Sequence, residues 1–297
     1  MSEFKRKKRI CFTDFWGDFP HSSNFFTILL KENGYDFEVN NQDCDVEIFS
    51  VFGHKHLNCG NNPEEDKRSI YFVGEPYKDP IPGLKLNLTF DHSEEHNNIR
   101  VPLWLWYGYN KDTKLTKKNT SPENFCCFVV TRDVPKRTNF CRKLMEYKPV
   151  GCGGEVLNNI GGRLGGWSGK SHASGSSDNR EKIEWQTKFK FCLAFENSSK
   201  PGYVTEKILE AYKSNCIPIY WGSEKIAMDF NPETFINAHD FETEEDLIEY
   251  IKKVDTDDEL YASFMEKPIY SEFWLDVFNN PQNKYFANIA DRIMKDT

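Results

Sequence analysis

FKFCLAFENSSKPGYVTEKILEAYKSNCIPIYWGS, Phe189 to Ser223, runs from strand to loop to helix to strand. Phe189 to Phe195 is apolar and aromatic, long enough for a buried strand and too short for a helix. Asn197 to Gly202 clusters Asn, Ser, Pro and Gly, which is turn chemistry. Val204, Ile208 and Ala211 then recur at helical period. Cys216 to Tyr220 is a second apolar run, closed by Trp221-Gly222-Ser223. Strand, helix and strand in this succession predict a parallel crossover unit. Such units take ligands beyond the carboxyl ends of their strands. That edge holds Glu196, Asn197, Tyr203, Glu206 and Lys207. Tyr203, Glu206 and Lys207 stand at i, i+3 and i+4, one face of a first helical turn. Free backbone N–H groups and the helix dipole favour an anion there. A lysine at that turn strengthens the site enough to suit a diphosphate. The competing reading is a solvated Glu–Lys pair on an ordinary helix.

Working outward, 297 residues with 38% hydrophobic content have room for two domains of ordinary size. A net charge of −8 argues against a general nucleic-acid or anionic-membrane binder. Any phosphate site must therefore be a local basic pocket. Nine cysteines contain no C-x-x-C pair, which argues against zinc and for mostly reduced thiols in a cytosolic compartment. Lys5 to Arg9 is basic, but the apolar run after it is far too short for a signal or spanning segment.

In the N-terminal half, Arg9 to Phe15, Tyr35 to Val39, Val46 to Phe52, Ser69 to Val73 and Leu86 to Phe90 are strand candidates. Ser23 to Asn33 reads as a helix stopped by Gly34. Strands alternating with helices or loops indicate a parallel sheet. Glu75 follows a strand, precedes Pro76 and sits at a carboxyl edge. A carboxylate so placed can be partly desolvated and accept a hydroxyl proton. Asp43, Asp45, Asp91, Glu94 and Glu95 are equally eligible by composition. Asp43-Cys44-Asp45 fits a metal-holding D-x-D but precedes a strand instead of ending one, so a turn is the better reading. His54 and His56 have no neighbours to complete a metal shell and read as a surface loop. Trp104 to Tyr107 can stack on sugar rings or pack the core, and packing is favoured.

Lys111 to Glu123 is polar and aperiodic, a linker. Phe125 to Thr131 is a buried strand, and Lys136 to Tyr147 a helix with Arg137 in its first turn. Val150 to Gly154 is rich in glycine but lacks the full G-x-G-x-x-G pattern. Gly165 to Ser171 ends in GKS, but Leu164 occupies the place of the first P-loop glycine. Residues 163–180, rich in Gly and Ser, read as a mobile loop. Phe235 to His239 is a strand, Thr243 caps a helix over Glu244 to Val254, and Phe273 to Met294 forms the last helices.

FEN at 195–197, GYVTEK at 202–207, IPIYWGS at 217–223, WGD at 16–18, YFVGEP at 71–76 and Arg100 to Leu103 together resemble the α-1,3/4-fucosyltransferases. The soluble bacterial-type members are the most similar, and the likeness extends over most of the chain. It implies an α/β fold of GT-B type, two Rossmann-like domains facing across a cleft. The implied division is an acceptor-binding domain at 1–115, a GDP-sugar-binding domain at 116–270, and a C-terminal helix at 271–297 packing back on the first. The implied reaction is inverting transfer of L-fucose from GDP-fucose to GlcNAc or Glc of an acceptor glycan, in α-1,3 or α-1,4 linkage. The resemblance gives Glu75 the part of catalytic base. It gives Arg137 the donor phosphates, for which a planar guanidinium is suited. Asn197, Tyr203, Glu206 and Lys207 complete the donor-binding set. Gly161 and Gly162 stand where the family often has an aromatic or basic donor contact. No cofactor is essential, although a divalent cation could stimulate. The expected partners are GDP-fucose and a glycan, without nucleic acid or a transmembrane segment, in the cytoplasm. Two alternatives remain: a metal-dependent glycosyltransferase using Asp43 and Asp45 with another nucleotide-sugar, or a non-catalytic nucleotide- or glycan-binding protein.

Overall fold

The computed structural model describes residues 6–59, 66–77, 80–108, 122–164 and 180–295. They form two units. The first unit comprises the described residues up to 108 together with 280–295. Its sheet has six parallel strands, β1 (Lys8–Thr13), β2 (Phe37–Val39), β3 (Val46–Phe49), β4 (Ser69–Phe72), β5 (Leu86–Thr89) and β6 (Asn98–Arg100), in the order β2-β1-β3-β4-β5-β6. The short runs expected as strands are therefore present, each a residue or more shorter at one end. The order reverses beside β1, which is the switch point of a doubly wound sheet. The helix Phe25–Glu32 is capped by Asn24, whose side chain accepts from the Phe26 and Thr27 N–H groups. Gly34, at φ +78°, ends it as expected.

Trp104 and Trp106 lie in a buried helix, Leu103–Gly108. Their rings fill the core, Trp106 stacking on Phe72 at 5.3 Å, so the packing reading holds. The terminal helix Tyr285–Met294 buries Ile289, Ala290 and Ile293 completely. It is tied to this unit by Lys8 Nζ donating to the Met294 carbonyl at 2.6 Å and Lys85 Nζ to the Lys295 carbonyl at 2.9 Å.

The second unit comprises the described residues 122–164 and 180–279. Five parallel strands, β7 (Asn124–Phe128), β8 (Val150–Cys152), β9 (Phe189–Phe195), β10 (Ile217–Trp221) and β11 (Ile236–Asn237), lie in the order β11-β10-β9-β7-β8. The winding repeats the first unit, with the switch point between β7 and β9. Helices Pro135–Met145, Arg180–Gln186, Glu206–Lys213, Glu244–Thr256, Asp258–Glu266 and Glu272–Asn279 accompany this sheet. Thr243 caps the fourth of these by accepting from the Asp246 N–H at 3.1 Å. Val150 to Gly154 is half strand and half turn. At Gly154 an added Cβ would stand 2.1 Å from the Val130 carbonyl oxygen, so only glycine admits this close approach.

One expectation is corrected here, the surface loop at His56. Asp43 and Asp45 both pair with Arg9, at the amino ends of the strands, and Arg9 pulls the Asp45 carboxyl down to about 2. Both thus have a structural partner. His56 is buried on a short helix, Lys55–Asn58, with its ring 5.1 Å from that of Tyr77. Cys11 and Cys44 form a disulfide, and the other seven cysteines are free thiols. The expected linker from 111 to 121, and 165–179 of the Gly/Ser-rich segment with its GKS, lie outside the described residues. No helix among the described residues is long and apolar enough to cross a membrane.

Candidate active site

The switch point of the second unit is where a ligand crevice is expected. β7 leads there to Arg132, and β9 to Glu196 and Asn197. Arg137 spans the two. It sits in the first turn of the helix Pro135–Met145, where proline at the first helical position presets the backbone. Its Nη1 donates to Asn197 Oδ1 at 2.6 Å and its Nη2 to the Arg132 carbonyl at 2.5 Å. The residue is 2% exposed, and its buried Nε has no partner among the described residues. Burial lowers the guanidinium pKa, and Glu196 is the largest charge acting against that. A fully buried guanidinium with an unused donor is a strong candidate for an anionic ligand.

Lys207 approaches from the next crossover. The helix there begins at Glu206, with Thr205 at the N-cap. Tyr203 therefore precedes the helix, and the expectation that it shares a helical face with Glu206 and Lys207 is corrected. Pro201 and Gly202 keep this segment in a turn, and the Tyr203 N–H donates to the Lys200 carbonyl at 3.1 Å. Tyr203 nonetheless lies at the same site: it is 1% exposed and contributes to the electrostatics of both Arg137 and Lys207. Lys207 Nζ lies 3.1 Å from Glu196 Oε2 and 3.3 Å from Glu206 Oε1, and donates to Thr205 Oγ1 at 2.9 Å. Its side chain is only 17% exposed, so the solvated-pair reading fails. Burial opposes the Lys207 charge, but Glu196 and Glu206 more than restore it, and its pKa stays above the ordinary lysine value. Burial likewise pushes Glu206 up, and Lys207 and Lys182 overcome this to hold it ionised.

Arg137, Asn197, Tyr203, Glu206 and Lys207 are thus gathered at one sheet edge. Sequence reasoning placed Glu196 at this edge without a role and passed over Thr205 and Lys182. Thr205 stands at the N-cap position, but its hydroxyl donates to Glu196 instead of capping the helix, a bond for which the sequence had no signal. Lys182, paired with Glu210 at 2.5 Å, had no signal either.

Glu75 is in the first unit, three residues beyond β4 and half-buried. The Tyr77 N–H donates to its carbonyl at 2.6 Å, which holds a tight turn. Its competitors are differently employed. Asp43 and Asp45 pair with Arg9, while Asp91 accepts from the Ser93 N–H at 2.7 Å. Glu94 and Glu95 are exposed.

The chain's relatives bear on this geometry. Residues 117–277 match the model of the glycosyltransferase family 10 (fucosyltransferase) C-terminal region, more than half of the chain. The chain belongs to glycosyltransferase family 10. Residues 10–107 match the N-terminal domain of the α-(1,3)-fucosyltransferase FucT. The α-(1,3)-fucosyltransferase FucT of Helicobacter pylori is 39% identical over 147 residues, 49% of this chain and 28% of that protein. The human GDP-fucose protein O-fucosyltransferase 3 is 35% identical over 134 residues, 44% of this chain and 26% of that protein. The α-(1,4)-fucosyltransferase of Arabidopsis thaliana is 27% identical over 141 residues, 45% of this chain and 35% of that protein. The matches thus span well under half the length of these curated relatives. A crystal structure of an α1,3-fucosyltransferase with GDP-fucose superposes with a TM-score of 0.73 at 24% identity, covering 100% of this chain and 93% of that one. The family 10 member described here therefore has the GT-B fold, with two Rossmann-like units.

Proposed function

We propose that this chain is an inverting fucosyltransferase that moves L-fucose from GDP-fucose to a hydroxyl of an acceptor glycan. The acceptor sugar is GlcNAc or Glc, joined in α-1,3 or α-1,4 linkage. The observation that carries this is the cation pair at the switch point of the second unit. Arg137 has a buried donor without a partner among the described residues, and Lys207 stands in the first turn of a helix. Membership of family 10 supports fucose as the group transferred.

The second unit takes the donor and the first unit the acceptor. The acceptor hydroxyl oxygen attacks the anomeric carbon from the face opposite GDP. The bond from that carbon to the β-phosphate oxygen breaks, and its electron pair leaves with the diphosphate. Arg137 and Lys207 stabilise the charge that grows there. The proton of the attacking hydroxyl passes to the carboxylate of Glu75. Asn197, Tyr203 and Glu206 orient ribose and fucose hydroxyls. In this reading the two cations take the place of a metal, so turnover survives a chelator. The cytoplasm is the compartment we infer, supported by the seven free thiols and tested by fractionation.

Donor turnover against GDP- and UDP-sugars, with and without chelator and acceptor, is the deciding measurement. Consumption of GDP-fucose only, undiminished by chelator, is expected. Preference for a UDP-sugar, or chelator-sensitive transfer, overturns the donor or the metal-free mechanism. Binding of GDP with no donor turnover makes the protein a non-catalytic binder.

A further inference from the structure

The strongest feature of the second unit outside the proposed contacts is the carboxylate that ends β9. Glu196 is 0% exposed. Its Oε1 accepts from the Thr205 N–H at 2.7 Å and its Oε2 from Thr205 Oγ1 at 2.7 Å. Lys207 Nζ lies 3.1 Å from Oε2. The Glu196 backbone N–H donates to the Trp221 carbonyl at 2.8 Å, which binds it to the end of β10. Gly222 makes room for its stem: an added Cβ there would lie 2.6 Å from Glu196 Cγ and 2.6 Å from the Tyr220 hydroxyl. The carboxylate is thus held from the helix side and the strand side together.

Glu206, the other carboxylate on Lys207, differs. Its side chain is 23% exposed, against 0% for Glu196. Glu206 can turn from the lysine to a ligand hydroxyl, and Glu196 has no such freedom. Glu196 is also the largest opposite charge acting on Arg137.

We propose, given the diphosphate site read above, that Glu196 is a positioning residue: the fixed counter-charge that aims Lys207 at a nucleoside diphosphate. Removing its charge leaves Lys207 with less compensation at a buried edge. With Glu196 neutral, Glu206 is the charged partner left to Lys207 at hydrogen-bonding distance among the described residues, and the lysine turns toward it.

The test is a double-mutant cycle on the full chain, with GDP as the probe and calorimetry as the readout. Glu196→Gln retains an acceptor for Thr205 and removes the charge. GDP affinity is expected to fall by about ten-fold or more, as for loss of one partner from a buried charge pair. In the Lys207→Ala background the same substitution is expected to change affinity by less than about three-fold, because its effect runs largely through the lysine. The donor KM rises and the acceptor KM is unchanged, a split that general destabilisation would not give. Gly222→Ala displaces the same carboxylate without changing its charge and must reproduce the donor-selective loss, should the Gln variant fold poorly. Wild-type GDP affinity in a folded variant, or full additivity with Lys207→Ala, overturns the proposal. Wild-type protein that binds no GDP sinks the diphosphate reading itself, which the variants alone would not.

Discussion

Glu75 and Lys207 carry opposite halves of the proposed chemistry, and single substitutions separate them. Glu75→Gln keeps the shape and loses the base. Transfer is expected to fall by about two to four powers of ten while GDP affinity, measured by calorimetry, stays at the wild-type value. Retained turnover removes Glu75 from the role. Lys207→Ala is expected to weaken GDP binding and slow transfer together, since the lysine meets the diphosphate both before and during bond breaking. Unchanged GDP affinity would rule out a phosphate contact. At this scale the sequence was unevenly legible. The spacing of Glu206 and Lys207 left an anion site and a solvated pair both open. Arg137 had no local signature, because a first-turn arginine is by default a surface residue. Only the arrival of Asn197 from β9 shows that its fork is occupied and buried.

Among the elements, the helix Glu244–Thr256 shows how ends decide stability. Thr243 caps its start, so Thr243→Ala is expected to cost about 1 kcal/mol in the unfolding of the second unit. Its last turn carries Asp255, which accepts from the Tyr147 hydroxyl at 3.0 Å and pairs with Lys190 at 3.2 Å and with Lys148. Burial pushes the Asp255 carboxyl up, and Lys148, Tyr147 and Lys190 more than reverse this, so its pKa lies below the usual carboxylate range. A depressed folded pKa stabilises above the unfolded value and is lost as pH falls through the folded one. Asp255→Asn is therefore expected to lose about 1–3 kcal/mol at pH 7 in urea titration, with the gap from wild type closing below about pH 4. A gap independent of pH would mean that packing, not charge, is lost. The sequence showed this helix and its cap plainly. Nothing in it paired Asp255 with residues more than sixty positions away.

At the scale of the molecule, the chain builds one doubly wound unit, builds a second, and returns to the first with Tyr285–Met294. That helix contributes Ile289, Ala290 and Ile293 to the interior of the first unit, and Tyr35 donates to Asp291. Ending the chain at Asn279 is expected to abolish cooperative unfolding of the first unit, because it exposes apolar surface that nothing else covers. Hydrogen exchange would show protection lost in β1 to β6 and kept in β7 to β11. Protection retained in β1 to β6 would make the helix dispensable.

Sequence alone determined the strands, the parallel crossovers and the placing of Glu206 and Lys207 at a helix start. Those features follow from local periodicity and turn chemistry, which neighbouring residues encode. Tyr203 fell outside that helix because Pro201 and Gly202 hold the chain in a turn until Thr205, a matter of a few residues at an element boundary. Tertiary structure decided which carboxylates were spent on Arg9, that Arg137 bridges two strand ends, and that Glu196 pairs with Lys207. Charge compensation in a buried site acts through space at a few ångströms, and sequence order records only separation along the chain.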